Sequence, residues 1–163
     1  HQGYSDESMW SRGQAWGLYG YTYLYRELKD ERYLIQAQGI ADFLIHHPNM
    51  PEDYIPYWDY NAPDIPNTYR DSSAGSIMAS ALIELSDFVD ESRAKEYMKV
   101  VEKQIRTLAS PEYTAYLGEN GCFILKHGTG AYPFNSEMDV PLTYADYYYL
   151  EALIRLKKKL DYP

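Results

Sequence analysis

The sequence has a single cysteine, Cys122, among its 163 residues. One cysteine excludes a disulfide framework and a cysteine-based metal site within the chain. Positive charge is also scarce, because 15 lysines and arginines face 24 aspartates and glutamates, which gives a net charge of −9. Since nucleic-acid binding needs a basic surface, this deficit argues against a nucleic-acid partner. No apolar run is long enough to span a membrane, so no membrane partner is expected.

Several catalytic signatures are missing as well. No glycine-rich phosphate loop follows a strand, and no order of serine, histidine and aspartate resembles a nucleophilic triad. The adjacent His46 and His47 would point apart on a helix and form a poor metal-ligand pair, so no metal and no other cofactor is predicted. The chain begins with His1 rather than methionine and shows no signal peptide, which suggests that it is cut from a longer protein.

Aromatic residues, in contrast, are abundant. They make up 16% of the chain and include 19 tyrosines. A tyrosine ring has apolar faces and a polar tip, so it suits a cleft or a surface as well as a core. Because the C–H face of a sugar stacks on such rings, this composition is consistent with carbohydrate binding, although it does not establish it.

Five segments have the apolar period that predicts helices. The predicted helices span 9–28, 31–45, 72–88, 93–108 and 144–160. Thr143 and Asp146 have the spacing of a capping box at the start of the last helix. A short strand pair is predicted within GCFILKHGT, residues 121–129.

The connections between these helices alternate in length. The first and second helices, and the third and fourth, are joined by tight turns, whereas segments 46–71 and 109–142 are long loops. Tight turns and long loops therefore lie at opposite ends, and residues 1–16, 54–71 and 126–146 should converge on one face. Long loops in a compact domain are usually functional.

The helices also differ in kind. The third, SSAGSIMASALIEL, is rich in small residues that permit close packing in an inner layer, whereas the second and fourth have the single apolar stripe of an outer layer. This alternation predicts one all-α domain over residues 1–163, forming part of an α/α toroid. Five helices leave the ring incomplete, so the exposed helix flanks are expected to pair with a missing N-terminal part or another chain.

The stretch YSDESMWSRGQAWGLYGY, residues 4–21, contains the most distinctive polar and aromatic pattern. Arg12 and Trp16 are four residues apart and share a helix face, and Trp10 lies near the helix start. A guanidinium group binds carboxylate or sulfate and stacks on rings. Buried indoles beside an ion-paired arginine would give the same spacing, so core filler and ligand contact both remain open at this point.

The two long loops carry further candidates. Trp58 either offers a platform for a ligand or packs on the prolines of its own loop. Asp71 precedes the third helix and is interpreted as its N-cap. Ser136 supplies a polar group in the last converging segment, where Glu137 and Asp139 could also act as paired carboxylates.

Three strings together resemble a known family: HQGYSDESMWSRGQAWGLYGY, PYWDYNAP…RDSSAGSIMASALIEL and NSEMDVPLTYADYYYLEALIRL. They run through most of the chain and resemble glycoside hydrolase family 88, the unsaturated glucuronyl hydrolases. The resemblance implies an (α/α)6 barrel. It also implies hydrolysis of a Δ4,5-unsaturated uronic acid at the non-reducing end of lyase-generated oligosaccharides. In this family an aspartate protonates C4 of the enol-ether double bond and activates the water that adds to C5, and no metal is required. The implied partner of the chain is an unsaturated glucuronyl oligosaccharide.

The resemblance also assigns candidate residues. Substrate binding is predicted for six residues, the first four by motif and the last two by their loops: Gln2, Trp10, Arg12, Trp16, Trp58 and Ser136. The two important aspartates of the family lie upstream of the HQGY string with which this chain begins, so its catalytic residues are unknown. We therefore expect the C-terminal part of a periplasmic or cytoplasmic enzyme, inactive as this chain alone.

Other functions stay open at this stage. The same aromatic face would suit a non-catalytic carbohydrate-binding α/α domain, and the unsaturated rhamnogalacturonyl hydrolases are a neighbouring family with a different string after their Arg-Gly. A helical scaffold with a tyrosine-rich core is the remaining alternative. Replacing Arg12 by alanine should separate scaffold from binding protein, because binding of an unsaturated uronide is expected to fall while the melting temperature barely moves.

Overall fold

The computed structural model of the protein describes residues 1–161. Its five α-helices are α1 (Ser11–Leu28), α2 (Glu31–Ile45), α3 (Ser72–Leu85), α4 (Glu91–Leu108) and α5 (Thr143–Asp161). Two short 3-10 turns lie at Asn120–Cys122 and Tyr132–Phe134. Over these 161 residues the chain forms isolated β-bridges but no strand, which confirms the all-α prediction.

The helices begin and end close to the predicted positions, and the differences have local causes. The first helix starts at Ser11 because Trp10 has a non-helical ψ of 116°. The fourth starts at Glu91, earlier than predicted, because the Asp90 carboxylate accepts hydrogen bonds from the free N–H groups of its first turn. The third ends at Leu85 rather than three residues later.

The capping box predicted at the start of α5 is wrong. The Asp146 carboxylate accepts hydrogen bonds from the backbone N–H groups of Ile124 and Leu125, both at 2.8 Å. It therefore fixes a distant loop to the helix rather than capping its own first turn. Spacing within the sequence could not reveal this contact, because the acceptor and the donors are more than 20 residues apart.

The strand pair predicted over residues 121–129 is also wrong. Leu125 and Gly128 form only isolated bridges, to Thr114 and Val140 respectively. Positive φ angles at Cys122 (70°) and His127 (60°) interrupt the extended backbone that a strand would need.

The predicted inner and outer layers are present. α1 and α5 pack on either side of α3, α2 packs on α1, and α4 packs on α3. Thirteen of the 14 residues of α3 are buried, as an inner helix requires. Its small residues allow neighbouring segments to come close to the helix backbone. At Gly75, for example, a Cβ atom would lie 2.9 Å from Cδ1 of Ile55 in the first long loop. This arrangement is part of an α/α barrel.

The three long segments converge at one end of the helices, as predicted. The Ser11 N–H donates to the Trp58 carbonyl at 3.2 Å, which joins the start of α1 to the first long loop. The Ser72 N–H donates to the His127 carbonyl at 2.9 Å, which joins the start of α3 to the second. These backbone contacts define the end of the fold where a site can form.

Some helix faces stay uncovered. Along α5 the apolar side chains of Tyr147, Leu150 and Ile154 are exposed, and on α2 those of Ile35 and Phe43 are exposed. The spacing on α5 is that of one helix face. Within residues 1–161, no helix combines the length and apolar character that crossing a membrane would require.

Candidate substrate-binding cleft

A cleft of about 360 Å³ opens between the first and the last of the converging segments, residues 1–16 and 126–146. It is lined by nine residues: Gln2, Trp10, Arg12, Trp16, Gly130, Ala131, Phe134, Glu137 and Tyr144. All four residues assigned by motif lie in this lining, whereas the two assigned by their loops do not. Larger grooves of about 650 and 680 Å³ flank α4, but lysine, glutamate and arginine side chains of this outer helix line them and no indole does.

Arg12 is buried, with only 4% of its surface exposed. Its Nη1 donates to the Thr129 carbonyl at 2.7 Å and to Asp71 Oδ2 at 3.1 Å, and it also lies 3.3 Å from Ser73 Oγ. Its Nη2 donates to the Gly130 carbonyl at 2.6 Å. The guanidinium therefore joins α1, the start of α3 and the second long loop, and it holds the wall of the cleft in place.

Asp71 serves as the N-cap of α3, as predicted, and also as the partner of Arg12. Its Oδ1 accepts hydrogen bonds from the backbone N–H and the hydroxyl of Ser73, at 3.0 and 2.6 Å. Burial raises the pKa of the Asp71 carboxyl, while the Arg12 guanidinium and these donors act in the opposite direction. The pair is thus a buried, hydrogen-bonded ion pair at the base of the site.

Two aromatic rings enclose the Arg12 side chain. Its Cζ lies 4.8 Å from the centroid of Trp10 and 5.1 Å from that of Tyr144, within the range of cation–π attraction. The indole of Trp10 covers Gly13, where a Cβ atom would lie 2.7 Å from Trp10 Cε3. Arg12 thereby orients two rings of the lining and presents only its edge to the cleft.

Trp16 continues the aromatic lining towards the interior. Its ring meets Tyr148 edge-on at 5.0 Å, and Tyr148 meets Tyr19 in the same way at 5.2 Å. The Tyr19 hydroxyl donates to Glu151 Oε1 at 3.2 Å and accepts from Arg155 Nη2 at 3.4 Å. Burial, with a contribution from Glu151, raises the pKa of Tyr19 to about 12, so its hydroxyl stays protonated and keeps its proton for the hydrogen bond to Glu151.

Trp58 requires a correction. Its side chain is only 2% exposed, it stacks on Tyr132 at 4.1 Å, and its Nε1 donates to Thr68 Oγ1 at 3.2 Å. The ring therefore supports the second long loop from behind and offers no free face to a ligand. Ser136 is exposed on that loop but does not line the cleft, and its role in binding stays a prediction.

The carboxylates predicted as a pair at positions 137 and 139 lie in different surroundings. Asp139 Oδ1 lies 2.6 Å from His127 Nδ1, away from the cleft lining. Glu137 lines the cleft, and its carboxylate occupies the space above Gly130, where a Cβ atom would lie 2.1 Å from Oε2. A glycine is needed at position 130 because any side chain there would displace Glu137.

Sequence reasoning missed two residues that shape the cleft. The ring of Tyr144 packs on Arg12, and its place in a converging segment was the one signal that could have indicated it. Asp59 is fully buried and accepts hydrogen bonds from the segment that carries Gln2. Over residues 1–161 no group of three or more histidine, cysteine, aspartate and glutamate side chains could hold a metal ion.

Comparisons with known proteins agree with this geometry, although no family model matches the chain. An unsaturated glucuronyl hydrolase of Formosa agariphila is 45% identical over 155 residues, covering 95% of this chain and 38% of that protein. An unsaturated chondroitin disaccharide hydrolase of Streptococcus pneumoniae is 35% identical over 159 residues. The match covers 96% of this chain and 39% of the Streptococcus pneumoniae protein.

Solved structures give the same result. A crystal structure of an unsaturated glucuronyl hydrolase specific for heparin has a TM-score of 0.95 and 50% identity, covering 98% of this chain and 43% of that one. The unsaturated glucuronyl hydrolase of Bacillus sp. GL1, responsible for the degradation of glycosaminoglycan, has a TM-score of 0.89 and 34% identity, covering 98% of this chain and 42% of that one.

The alternating helical layers define part of an α/α-barrel fold. The chain is homologous to the unsaturated glucuronyl hydrolases of glycoside hydrolase family 88 along nearly its whole length. It spans between 38% and 43% of the length of the relatives described above.

Proposed function

We propose that this chain supplies the aromatic and arginine-containing side of the substrate site in an unsaturated glucuronyl hydrolase. The observation that carries the proposal is the cleft in which Gln2, Trp10, Arg12 and Trp16 meet. Two indoles offer flat apolar faces to a sugar ring, and the exposed Gln2 amide offers hydrogen bonds at the rim. Arg12 supports the Trp10 indole from behind.

The proposed substrate is a terminal Δ4,5-unsaturated glucuronate. Its double bond flattens the ring, which favours stacking on Trp10 or Trp16, and its carboxylate would accept hydrogen bonds from Gln2. A variant of the Streptococcus agalactiae unsaturated glucuronyl hydrolase has been solved in complex with dGlcA-GalNAc6S. A separate solved structure holds a variant of an unsaturated glucuronyl hydrolase together with dGlcA-Glc-Rha-Glc. These complexes support an unsaturated uronide as the class of ligand for the present cleft.

The proposed reaction is hydration of the enol-ether double bond. An acid protonates C4, water adds to C5, and the resulting hemiketal opens to a keto sugar and releases the next sugar. The acid must lie close to C4 and also reach a water molecule. No aspartate lines the cleft, and Glu137 is the carboxylate within it. We therefore assign the acid–base aspartate to the portion of the relatives that this chain does not span.

The exposed apolar faces fit the same proposal. Tyr147, Leu150 and Ile154 of α5 and Phe43 of α2 are exposed, which supports the proposal that further helices of a closed barrel pack on these faces. Removing such side chains from water favours association, by about 25 cal/mol per Å² of apolar surface buried. The proposed occupant is the remainder of the same barrel, which would bring the acid–base residue to the open side of the cleft.

A chimera tests this function. The chain would replace the equivalent 43% of the heparin-specific unsaturated glucuronyl hydrolase, to which it is 50% identical. The chimera is expected to remove the absorbance of the uronate double bond from an unsaturated disaccharide, whereas the 163-residue chain alone should bind it without this change. Hydrolysis by the chain alone would refute the assignment of the acid–base residue, and a folded but inactive chimera would refute the proposed function.

A further inference from the structure

We propose that Asp59 is a positioning residue that holds Gln2 at the rim of the cleft. This inference rests on the proposed function, because it assigns Asp59 a part in forming the uronide-binding site. Asp59 does not line the cleft. It acts through the segment that precedes α1, which has no regular secondary structure of its own.

The Asp59 carboxylate is unusual because it is fully buried without a cation. None of its surface is exposed, and no ion pair among residues 1–161 involves it. Burying a carboxylate is costly unless hydrogen bonds replace its water. The hydrogen-bond donors around Asp59 must therefore replace the lost water. These donors identify the segments that the carboxylate holds in place.

Those donors join two distant segments. Asp59 Oδ2 accepts hydrogen bonds from the Tyr4 backbone N–H at 2.9 Å and from the Ser8 hydroxyl at 2.7 Å. Its Oδ1 accepts from the Asn61 backbone N–H at 2.8 Å, which fixes the carboxylate within its own turn. One side chain thus anchors residues 4–8 to the first long loop.

Gly3 makes the approach possible. A Cβ atom at this position would lie 2.7 Å from Asp59 Oδ2, 2.7 Å from Ser8 Oγ and 3.0 Å from Trp10 Cβ. The backbone at Gly3 therefore passes directly over the Asp59 carboxylate. The preceding residue, Gln2, lies in the cleft lining. Only a glycine permits this path, so Gly3 and Asp59 together determine where Gln2 lies.

The closing experiment is an NMR titration of the chain with a Δ4,5-unsaturated uronyl disaccharide, which measures weak binding and reports on the Gln2 side-chain amide. In Asp59→Asn the NH2 group takes the place of Oδ2 or of Oδ1, so it faces either the Tyr4 N–H and the Ser8 hydroxyl or the Asn61 N–H. In either orientation a backbone N–H that Asp59 holds loses its acceptor. Removing one hydrogen bond to a charged group of the ligand costs about 10- to 150-fold in affinity. We expect that loss in Gln2→Ala and a loss at least as large in Asp59→Asn.

The double variant decides between positioning and general stability. If Asp59 acts through Gln2, the double variant binds no more weakly than Asp59→Asn alone, because coupled residues are not additive. Losses that multiply, or an Asp59→Asn chain that binds as the parent does, would overturn the inference. Asp90→Asn is the matched control, since Asp90 also accepts two backbone N–H bonds but lies at the opposite end of the fold.

A second variant covers the case in which Asp59→Asn does not fold. Ser8→Ala removes one of the donors to Asp59 and leaves the carboxylate intact, so a smaller loss is expected, again without a further loss when combined with Gln2→Ala. If Ser8→Ala leaves both the affinity and the Gln2 amide resonances unchanged, the inference is wrong. A parent chain that shows no ligand-dependent shifts would instead count against the proposed function, and the hydrolysis assay of the chimera is an independent check on it.

Discussion

The two ends of the helices use the same capping residue in opposite environments. At the tight-turn end, Asp30 and Asp90 cap α2 and α4 by accepting hydrogen bonds from N–H groups two or three residues ahead, and their side chains are 31% and 65% exposed. At the long-loop end, Asp71 caps α3 in the same way but is fully buried. It also binds Arg12, which is 59 residues away along the chain.

The difference in burial between these capping aspartates distinguishes the two ends of the fold. A solvent-exposed ion pair contributes little to stability, because water and salt compete for both partners. A buried pair becomes costly once either partner is lost, because the remaining charge has no water to replace it. The tight-turn end should therefore tolerate substitution, whereas the long-loop end should lose stability and binding together.

The largest effect is expected for Arg12→Ala. The replacement leaves the Asp71 carboxylate buried without its cation and releases the carbonyls of Thr129 and Gly130. Breaking a buried ion pair costs about 3–5 kcal/mol, which urea denaturation would measure as a lower midpoint. This result differs from the sequence expectation that the melting temperature would barely move, since that expectation treated Arg12 as a ligand contact near the surface.

The exposed pair at the other end provides the control for that measurement. Arg32→Ala removes the ion pair between Arg32 and Asp30. Because the Arg32 side chain is 84% exposed, the urea denaturation midpoint should stay close to that of the parent chain. Equal losses in the two variants would contradict the comparison between the two ends.

The features that the sequence predicted well are those that depend on near neighbours. The second helix, 31–45, agrees with the structure at both ends, and Asp71 caps α3 as its position before two serines indicated. The convergence of the long loops also followed from loop lengths alone. Trp58 and Asp146 were misjudged because their partners, Tyr132 and the 124–125 backbone, lie far along the chain. No local spacing encodes such contacts.

An intermediate effect is expected for Asp146→Ala, which tests a long-range anchor without a buried ion pair. The variant leaves the N–H groups of Ile124 and Leu125 without their acceptor, at a cost of about 1–3 kcal/mol. Asp90→Ala removes an acceptor for two N–H groups at the tight-turn end and should cost about 1 kcal/mol, as other N-caps do. Denaturation midpoints that rank the two variants in the reverse order would show that distance along the chain does not matter.

The smallest effect concerns the pH dependence of the tight-turn end. The Arg32 side chain and, to a smaller extent, its backbone N–H donate hydrogen bonds to the Asp30 carboxylate and lower its pKa from 3.8 to about 2. Since the folded-state pKa lies below the unfolded one, the cap should stabilise the fold fully above pH 3.8 and lose this contribution as the pH falls through about 2. NMR titration of the Asp30 carboxyl should show the low pKa, and Arg32→Ala should move it back towards its ordinary value. An Asp30 that titrates near 3.8 in the parent chain would mean that solvent screens this exposed pair completely.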